Sequence, residues 1–415
     1  MKNSSLYKSL ILLWFSHLFM DFFTGIWPIY KTLAQVDISK AGLIAGISGF
    51  SGELLQVFFG YLCDRGHRKK ILLFGLLLSS SILWITFTAG IFESFFILLI
   101  LMIGSGSFHP AAAGTASSLS RLKKGRVILF FASGGSVGLA ISQLVFTKTL
   151  NVFNGHALVL LIPLLLIGLF IAFHKFPTQN FASSEVSLKT FLKPIMHCKK
   201  PLSLLYFSQV AVQGFMLAFI FILPDLLQAH ACHSWLCLGG GHLCFVLSSA
   251  LVMVPVGYLC DRFGQKSVML IVLTGACILL YLFLGQNNLS LGRTILLLSS
   301  LGACLGTLNP IIISWGNRLV PDYPSTVSAI LMGFAWCLSS LGPAAAGMIA
   351  KSFEEDVYIN TITLLSLALI GVFFLILMMP KPEIIKVSKT ASDLDPIPSP
   401  ALEPTNSLAP PFEEN

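Results

Sequence analysis

Gly60-Tyr61-Leu62-Cys63-Asp64-Arg65 recurs, residue for residue, as Gly257-Tyr258-Leu259-Cys260-Asp261-Arg262. Each copy closes a long apolar stretch, and identity over the whole run makes chance a poor explanation. A second echo lies at nearly the same offset, where Gly106-Ser107-Phe108-His109-Pro110 matches Gly306-Thr307-Leu308-Asn309-Pro310. The first apolar stretches align as well, Trp27-Pro28 against Leu223-Pro224, which sets His17 opposite Gln213 and Asp21 opposite Leu217. The chain reads as a duplicated unit whose halves share a fold and differ in charge.

Moving outward from these repeats, a window of about 19 residues finds apolar spans at roughly 6–30, 38–62, 71–91, 95–118, 127–148 and 156–174. After a polar, basic stretch they resume at roughly 202–228, 235–259, 268–286, 292–316, 325–350 and 357–379. About 20 apolar residues suit one helical crossing of a bilayer. The predicted fold is an all-α membrane protein with twelve transmembrane helices in two pseudo-symmetric six-helix repeats. The halves run 1–174 and 202–379, joined by a basic cytoplasmic linker, 175–201, and followed by a tail, 380–415. The tail carries Asp393, Asp395, Glu403, Glu413 and Glu414 among prolines and serines. It buries too little apolar surface to offset the entropy of ordering, so disorder is expected there.

Composition agrees. Of 415 residues, 55% are hydrophobic and 11% charged, against about 25% charged in a soluble domain, and mean hydropathy is +0.84. A soluble globule is excluded, because so few charges cannot cover its surface. Little chain is left for a catalytic domain outside the membrane. The net charge of +8 lies in short clusters between spans, which argues for topology rather than nucleic acid. With both termini in the cytoplasm, 21 of the 26 Lys and Arg residues fall inside, and Lys31, Lys40, Lys148, Arg293 and Lys351 fall outside. Shifting the assignment by one span destroys that asymmetry, so span count and orientation rest on one argument. The first span holds Asp21 and lacks a small-residue cleavage site, which favours an uncleaved helix over a signal peptide. Nine cysteines, mostly inside apolar runs, read as small buried hydrophobes rather than a disulfide framework.

Six plus six spans with Gly60-Tyr61-Leu62-Cys63-Asp64-Arg65-Gly66-His67-Arg68-Lys69-Lys70 resemble the major facilitator superfamily, whose loop between helices two and three carries G-x-x-x-D-R-x-G-R-R/K. His67 stands where that family usually has Gly, and Gln265 where it has a basic residue in the second copy. Ser16-His17 through Asp21, Leu55-Gln56 and Gly104 through Phe108-His109-Pro110 resemble the fosmidomycin resistance group of drug exporters. The resemblance implies alternating access by two rocking halves, a monomer, and a gate at the Asp-Arg loop. Its Asp would meet a helix of the other half in the outward-facing state. Gly60, Asp64, Arg65, Arg68, Gly257, Asp261 and Arg262 are the gating candidates. A plain topology signal with a local ion pair is the bland alternative.

Asp21 and His17 lie four residues apart, on one face of the first helix and about midway through it. A charge at that depth is costly and normally faces the bundle interior, and a carboxylate beside an imidazole exchanges protons near neutral pH. They head the proton-coupling candidates, with Glu53 in the second span, although a structural Asp–His hydrogen bond would also explain the pair. His109-Pro110 and Asn309-Pro310 are expected to interrupt the fourth and tenth helices, since proline removes a backbone donor. Paired interruptions point to a binding site between repeats. His109, Asn309, Gln56, Trp27, Phe23 and Gln213 are the substrate-binding candidates. Asp225, at the outer end of span seven, reads as a solvated interfacial carboxylate. Gly134-Gly135 with Gly138 reads as close helix packing.

His230, Cys232, His233, Cys237, His242 and Cys244 are metal-ligand types in a short space, but their spacing matches no zinc pattern. No metal and no cofactor are expected. No nucleophile elbow, phosphate loop, dinucleotide fingerprint or H-E-x-x-H motif occurs, so the chain does not read as an enzyme. The functional expectation is a proton-coupled antiporter of the cytoplasmic membrane that exports a small drug-like or organic-acid compound. Its partners are substrate, protons and lipid. An uptake symporter for a sugar or other small metabolite is the alternative. No Lys or Arg lies deep in any span to pair with an anionic phosphonate, so a neutral, cationic or weakly acidic amphiphile suits the cavity as well. A membrane sensor would need an effector region larger than the linker and tail.

Overall fold

In hydrocarbon every backbone polar group must find its partner within the protein, which leaves helices as the simplest way to build a chain this apolar. The computed structural model describes residues 3–88, 90–119, 124–176, 198–286, 290–320 and 327–380. Its helices are α1 Asn3–Thr24, α2 Trp27–Leu33, α3 Ile38–Leu62, α4 Arg68–Ser79, α5 Ile91–Ser118, α6 Lys124–Val152 and α7 Leu161–Phe173. They continue as α8 Lys199–Ala229, α9 Gly241–Phe263, α10 Gln265–Leu284, α11 Leu291–Leu319, α12 Ala335–Ser339, α13 Gly342–Ala350 and α14 Val357–Leu377. Most of the basic linker and all but the first residue of the tail lie outside the described residues.

Ten helices among the described residues are long and apolar enough to cross a membrane. One of them, Ile38–Phe87, runs 50 residues, or about 75 Å if straight, more than twice the ~30 Å of hydrocarbon. Gly66, at φ +90°, divides it. A left-handed residue inside a five-residue turn reverses the chain between α3 and α4, a conformation that glycine adopts without steric cost. The expected twelve are reached only by counting these two parts separately and including the shorter apolar helix Leu158–Phe173. Pro110 and Pro310 do not end their helices: α5 and α11 both run through them. The expected interruption is absent because neighbouring helices support the backbone on either side.

The packing repeats between halves. α1 lies on α6 as α8 lies on α12 and α13; α3 lies on α5 as α9 lies on α11; and α4 lies on α5 as α10 lies on α11. Small residues let these pairs approach. A side chain at Gly106 would strike the backbone of Gly52, and one at Gly306 would strike Ser249, the corresponding place in the second half. Two further contacts, α3 with α13 and α6 with α9, join one half to the other. There, side chains at Gly42 and Gly347 would collide with the backbones of Pro343 and Ile38. Met1–Met379 forms one compact unit.

Candidate functional site

Helical spacing alone sets His17 over Asp21, and the fold adds a third member. His17 Nε2 lies 3.3 Å from Asp21 Oδ2, and His109 Nε2 lies 3.3 Å from the other carboxylate oxygen. Asp21 and His109 are partly exposed, at 22% and 32% of their side chains. The far nitrogens are tied to backbone. His17 Nδ1 is 2.9 Å from the Phe131 carbonyl oxygen, and His109 Nδ1 is 2.9 Å from that of Ser105. A carbonyl only accepts, so each Nδ1 carries the hydrogen and each neutral ring turns a bare Nε2 lone pair toward Asp21. Two lone pairs facing a carboxylate are an unfavourable arrangement until a cation arrives. With no added proton the cluster carries −1, with one proton it is neutral, and with two it carries +1.

Glycine makes the close approach possible. A Cβ on Gly135 would collide with Asp21 Oδ2 and His17 Nε2, and Cβ atoms on Gly134 and Gly138 would strike the Trp14 and Leu18 carbonyls. α6 therefore presses its glycine face against α1, while Phe131 stacks on the His17 ring with centroids 4.2 Å apart. Glu53 is half-buried on α3, within electrostatic reach of His109 and Asp21. It accepts a hydrogen bond from Gln56.

The second half repeats the theme without charge. Asn309 accepts from Gln209 Nε2 at 2.6 Å, joining α11 to α8 as His109 and Asp21 join α5 to α1. Gln209 Oε1 has no partner among the described residues. Gln213 is buried on the same helix. Phe23 and Trp27 are packed inside the bundle, with the Trp27 indole donating to the Ala41 carbonyl at 3.2 Å. They stand apart from the Asp21 cluster's polar contacts.

The duplicated loops diverge in their partners. Asp64, 75% exposed, meets Arg68 at 3.2 Å, and Arg68 also donates to the Gly114 carbonyl at 3.3 Å. In the second copy Gln265 occupies the place of Arg68, so Asp261 turns instead to Arg318 at the end of α11. Arg65 lies over the Tyr61 ring at 4.6 Å, and Arg262 over Phe263 at 5.2 Å. Gly60 faces only Pro110 of its own half, and Gly257 faces open space. Among the described residues, neither loop aspartate contacts the opposite half.

Two structural features escaped the reading of the sequence. Lys69 Nζ donates to the Ala172 and His174 carbonyls at 2.7 and 3.0 Å. Lys266 Nζ does the same to Leu377 and Met379 at 2.9 and 2.7 Å. Each lysine, five residues past its motif Asp, caps the last helix of its half. At the opposite end of the bundle Lys31, 1% exposed, forms an ion pair with Asp225, 12% exposed. Thr32 also donates to Asp225 at 2.8 Å, and Phe221 lies under the ammonium at 4.6 Å. Asp225 is therefore not a solvated interfacial group. Helix α2 meets α8 there, and the attraction of two charges removed from water draws the halves together. The clue was present: opposite charges follow the aligned prolines Pro28 and Pro224.

Near this end, His242 Nε2 donates to the Leu139 carbonyl at 2.8 Å and Thr147 donates to that of Leu238 at 2.7 Å, both between halves. The named side-chain contacts across the halves thus gather at the Lys31–Asp225 end and in mid-bundle. Among the described residues no such contact is made by Asp64 or Asp261.

The sequence profile of the Major Facilitator Superfamily matches residues 10–235 and again 234–410. The chain belongs to the major facilitator superfamily. Among curated proteins it is similar to the nitrite extrusion protein of Bacillus subtilis (strain 168), 25% identical over 332 residues that cover 76% of this chain and 80% of that one. It is also similar to the fosmidomycin resistance protein of Escherichia coli (strain K12), 23% identical over 354 residues, covering 81% and 84%. Solved structures with the same fold include the nucleoside transporter NupG, at TM-score 0.74 and 13% identity, covering 91% of this chain and 100% of that one. A bacterial homologue of the human lysosomal transporter Spinster, inward-facing and occupied, matches at TM-score 0.71 and 14% identity, covering 91% and 97%. This major facilitator protein is thus an integral membrane protein and a secondary transporter of small molecules rather than an enzyme.

Proposed function

We propose that the protein is a proton-coupled antiporter that exports a small drug-like or organic-acid compound across the cytoplasmic membrane, as a monomer with both termini inside. The observation that carries this reading is the His17–Asp21–His109 cluster inside the bundle, with His17 buried and Asp21 and His109 partly exposed. When both rings are neutral their two Nε2 lone pairs face one carboxylate, an arrangement that takes up cations and changes charge as it does so. Names borne by two relatives, nitrite extrusion and fosmidomycin resistance, agree with the outward direction. In the exporting cycle an incoming proton enters the cluster from outside, the halves rock, and proton release to the inside readies the cavity for outgoing substrate. Glu53 assists as a second carboxylate near the cluster. His109, Asn309, Gln56, Gln213, Phe23 and Trp27 are the proposed substrate contacts, and the Asp64 and Asp261 loops with Gly60, Arg65, Arg68, Gly257 and Arg262 form the inner gate. Lys31, the buried lysine among the described residues, is already paired with Asp225, so it is not free to meet an anionic cargo.

Liposomes containing the protein, given an imposed pH gradient, test the reading with a panel of phosphonates, nitrite, cationic dyes and sugars. Export predicts flux against the proton flow for at least one class. Flux along with protons would make the protein an uptake symporter, and silence across the panel would remove proton coupling. In the same assay Gly135→Ala is expected to cut gradient-driven flux at least about tenfold, because a displacement near 1 Å of reacting groups is that costly. Gly168→Ala, where nothing lies within 4 Å of the added carbon, should match the parent protein. Equal rates for the two variants would detach the coupling step from the Asp21 cluster.

A further inference from the structure

We propose that His17, Asp21 and His109 also form a three-ligand site for a divalent transition-metal ion of the zinc type, with the fourth position left to water or another ligand. Neither the fold nor proton coupling requires such a site. Three features of the cluster carry the proposal.

The first is convergence. One nitrogen from each imidazole and an oxygen from the carboxylate all lie within 4.8 Å of one another. These ligands come from two helices, α1 and α5, and Gly135 of α6 closes the third side with nothing larger than a hydrogen. Two imidazoles and a carboxylate are the ligand set of an open zinc site, and they suit zinc, cobalt or nickel better than magnesium or calcium, which prefer all-oxygen shells.

The second is orientation. A metal-binding histidine ordinarily donates its other ring N–H to a backbone carbonyl or carboxylate, which fixes the tautomer and aims the lone pair. Both histidines here do so, His17 to Phe131 and His109 to Ser105, each at 2.9 Å. Phe131 further holds the His17 ring by stacking. The supporting shell of a metal site is thus in place around Nε2 atoms that, in neutral rings, meet no hydrogen-bond donor among the described residues.

The third is spacing. Both nitrogen-to-oxygen separations are 3.3 Å, longer than the ~2.7–2.9 Å of a charge-assisted hydrogen bond. They match the edge of a tetrahedron with metal–ligand bonds of ~2.0–2.1 Å, which is about 3.3–3.4 Å. The two edges run to different oxygens, so the carboxylate must turn and the two rings draw in to bring one oxygen and both nitrogens onto one ion.

Charge balance then makes metal and protons exclusive. A divalent ion on the unprotonated cluster gives a net +1, the same as two protons, so binding to the doubly protonated cluster releases two protons and leaves the site's charge unchanged. Glu53 places a second carboxyl group within electrostatic reach. A bound ion would therefore hold the cluster in a state that mimics full protonation. The His230–Cys244 stretch offers no rival among the described residues: His242 is spent on the Leu139 carbonyl, and no three of its ligand atoms converge.

The test uses the purified full chain in detergent, stripped with EDTA and titrated with Co2+. The expected result is one Co2+ per chain with the visible bands of a low-coordinate nitrogen/oxygen site, displaced by one equivalent of Zn2+. His17→Asn, Asp21→Asn and His109→Asn should each weaken binding at least about tenfold, while a His230→Ala/His233→Ala double variant should bind as the parent does. X-ray absorption at the zinc edge of the parent protein needs no variant, so it decides the matter even if a substitution unfolds the chain. Two imidazoles without sulphur are expected. A sulphur shell, an absence of stoichiometric binding, or unchanged affinity in the three well-folded variants would overturn the site. Flux in metal-free liposomes separates the two readings, since proton-driven transport there is indifferent to whether a metal site exists.

Discussion

Asp21→Asn is expected to reduce proton-driven flux in liposomes to background while the protein still inserts, purifies and retains its helical content. The amide is nearly the same size and donates a hydrogen bond to one Nε2 lone pair, so the packing between α1, α5 and α6 survives. The charge does not. Without the carboxylate the cluster moves from −1 to 0 before any proton arrives, and the attraction that draws protons to the two imidazoles is lost. Exchange of substrate across the membrane in the absence of a gradient should persist, because the helices that rock remain intact. Measuring both fluxes on the same preparation separates coupling from folding. Gradient-driven flux at the parental rate in Asp21→Asn would remove this residue from the coupling step.

A second large effect is expected at Lys31 and Asp225. Removing one partner leaves the other as an uncompensated buried charge, at a cost of about 3–5 kcal/mol. Lys31→Met and Asp225→Leu should each lower the thermal unfolding temperature markedly. The double variant should recover most of that loss, since an apolar pair of similar volume replaces a buried ion pair at little or no cost. Transport should not recover with it. The pair joins α2 to α8 across the halves, and apolar replacements supply no charge to reform each time the halves close. Thermal shift and flux on the two single variants and the double variant form the cycle. A double variant as unstable as the singles would mean that the pair contributes through something other than its charge.

The two predictions concern residues that differ in how far the sequence disclosed them. Asp21 stands out at once, as an acid in the middle of an apolar span, and His17 follows from helical spacing. Lys31 and Asp225 each sit near a span end, where a charge is unremarkable. Nothing in either segment alone says that the two meet.

The fold was legible because its signals are local or repetitive. Hydropathy marks the spans, since lipid tolerates few exposed charges, and the duplicated Gly60–Arg65 motif marks the halves because identity is visible without geometry. Gln265 in place of Arg68 was visible too, but not its consequence, that Asp261 would reach Arg318. What the sequence by itself determined was therefore the all-helical membrane architecture, its duplication, and the unusual polarity of His17, Asp21, Glu53 and His109. Only the tertiary structure decided that His109 closes on Asp21 across two helices, that both histidines spend Nδ1 on backbone carbonyls, and that Lys31 meets Asp225. The reason is physical. Periodicity sets which residues share a face of one helix, but in a bilayer the lipid-facing and partner-facing sides are equally apolar. The rotation and depth of each helix against its neighbours are set by small-residue contacts such as Gly135 on α1, which become visible only when the helices are packed.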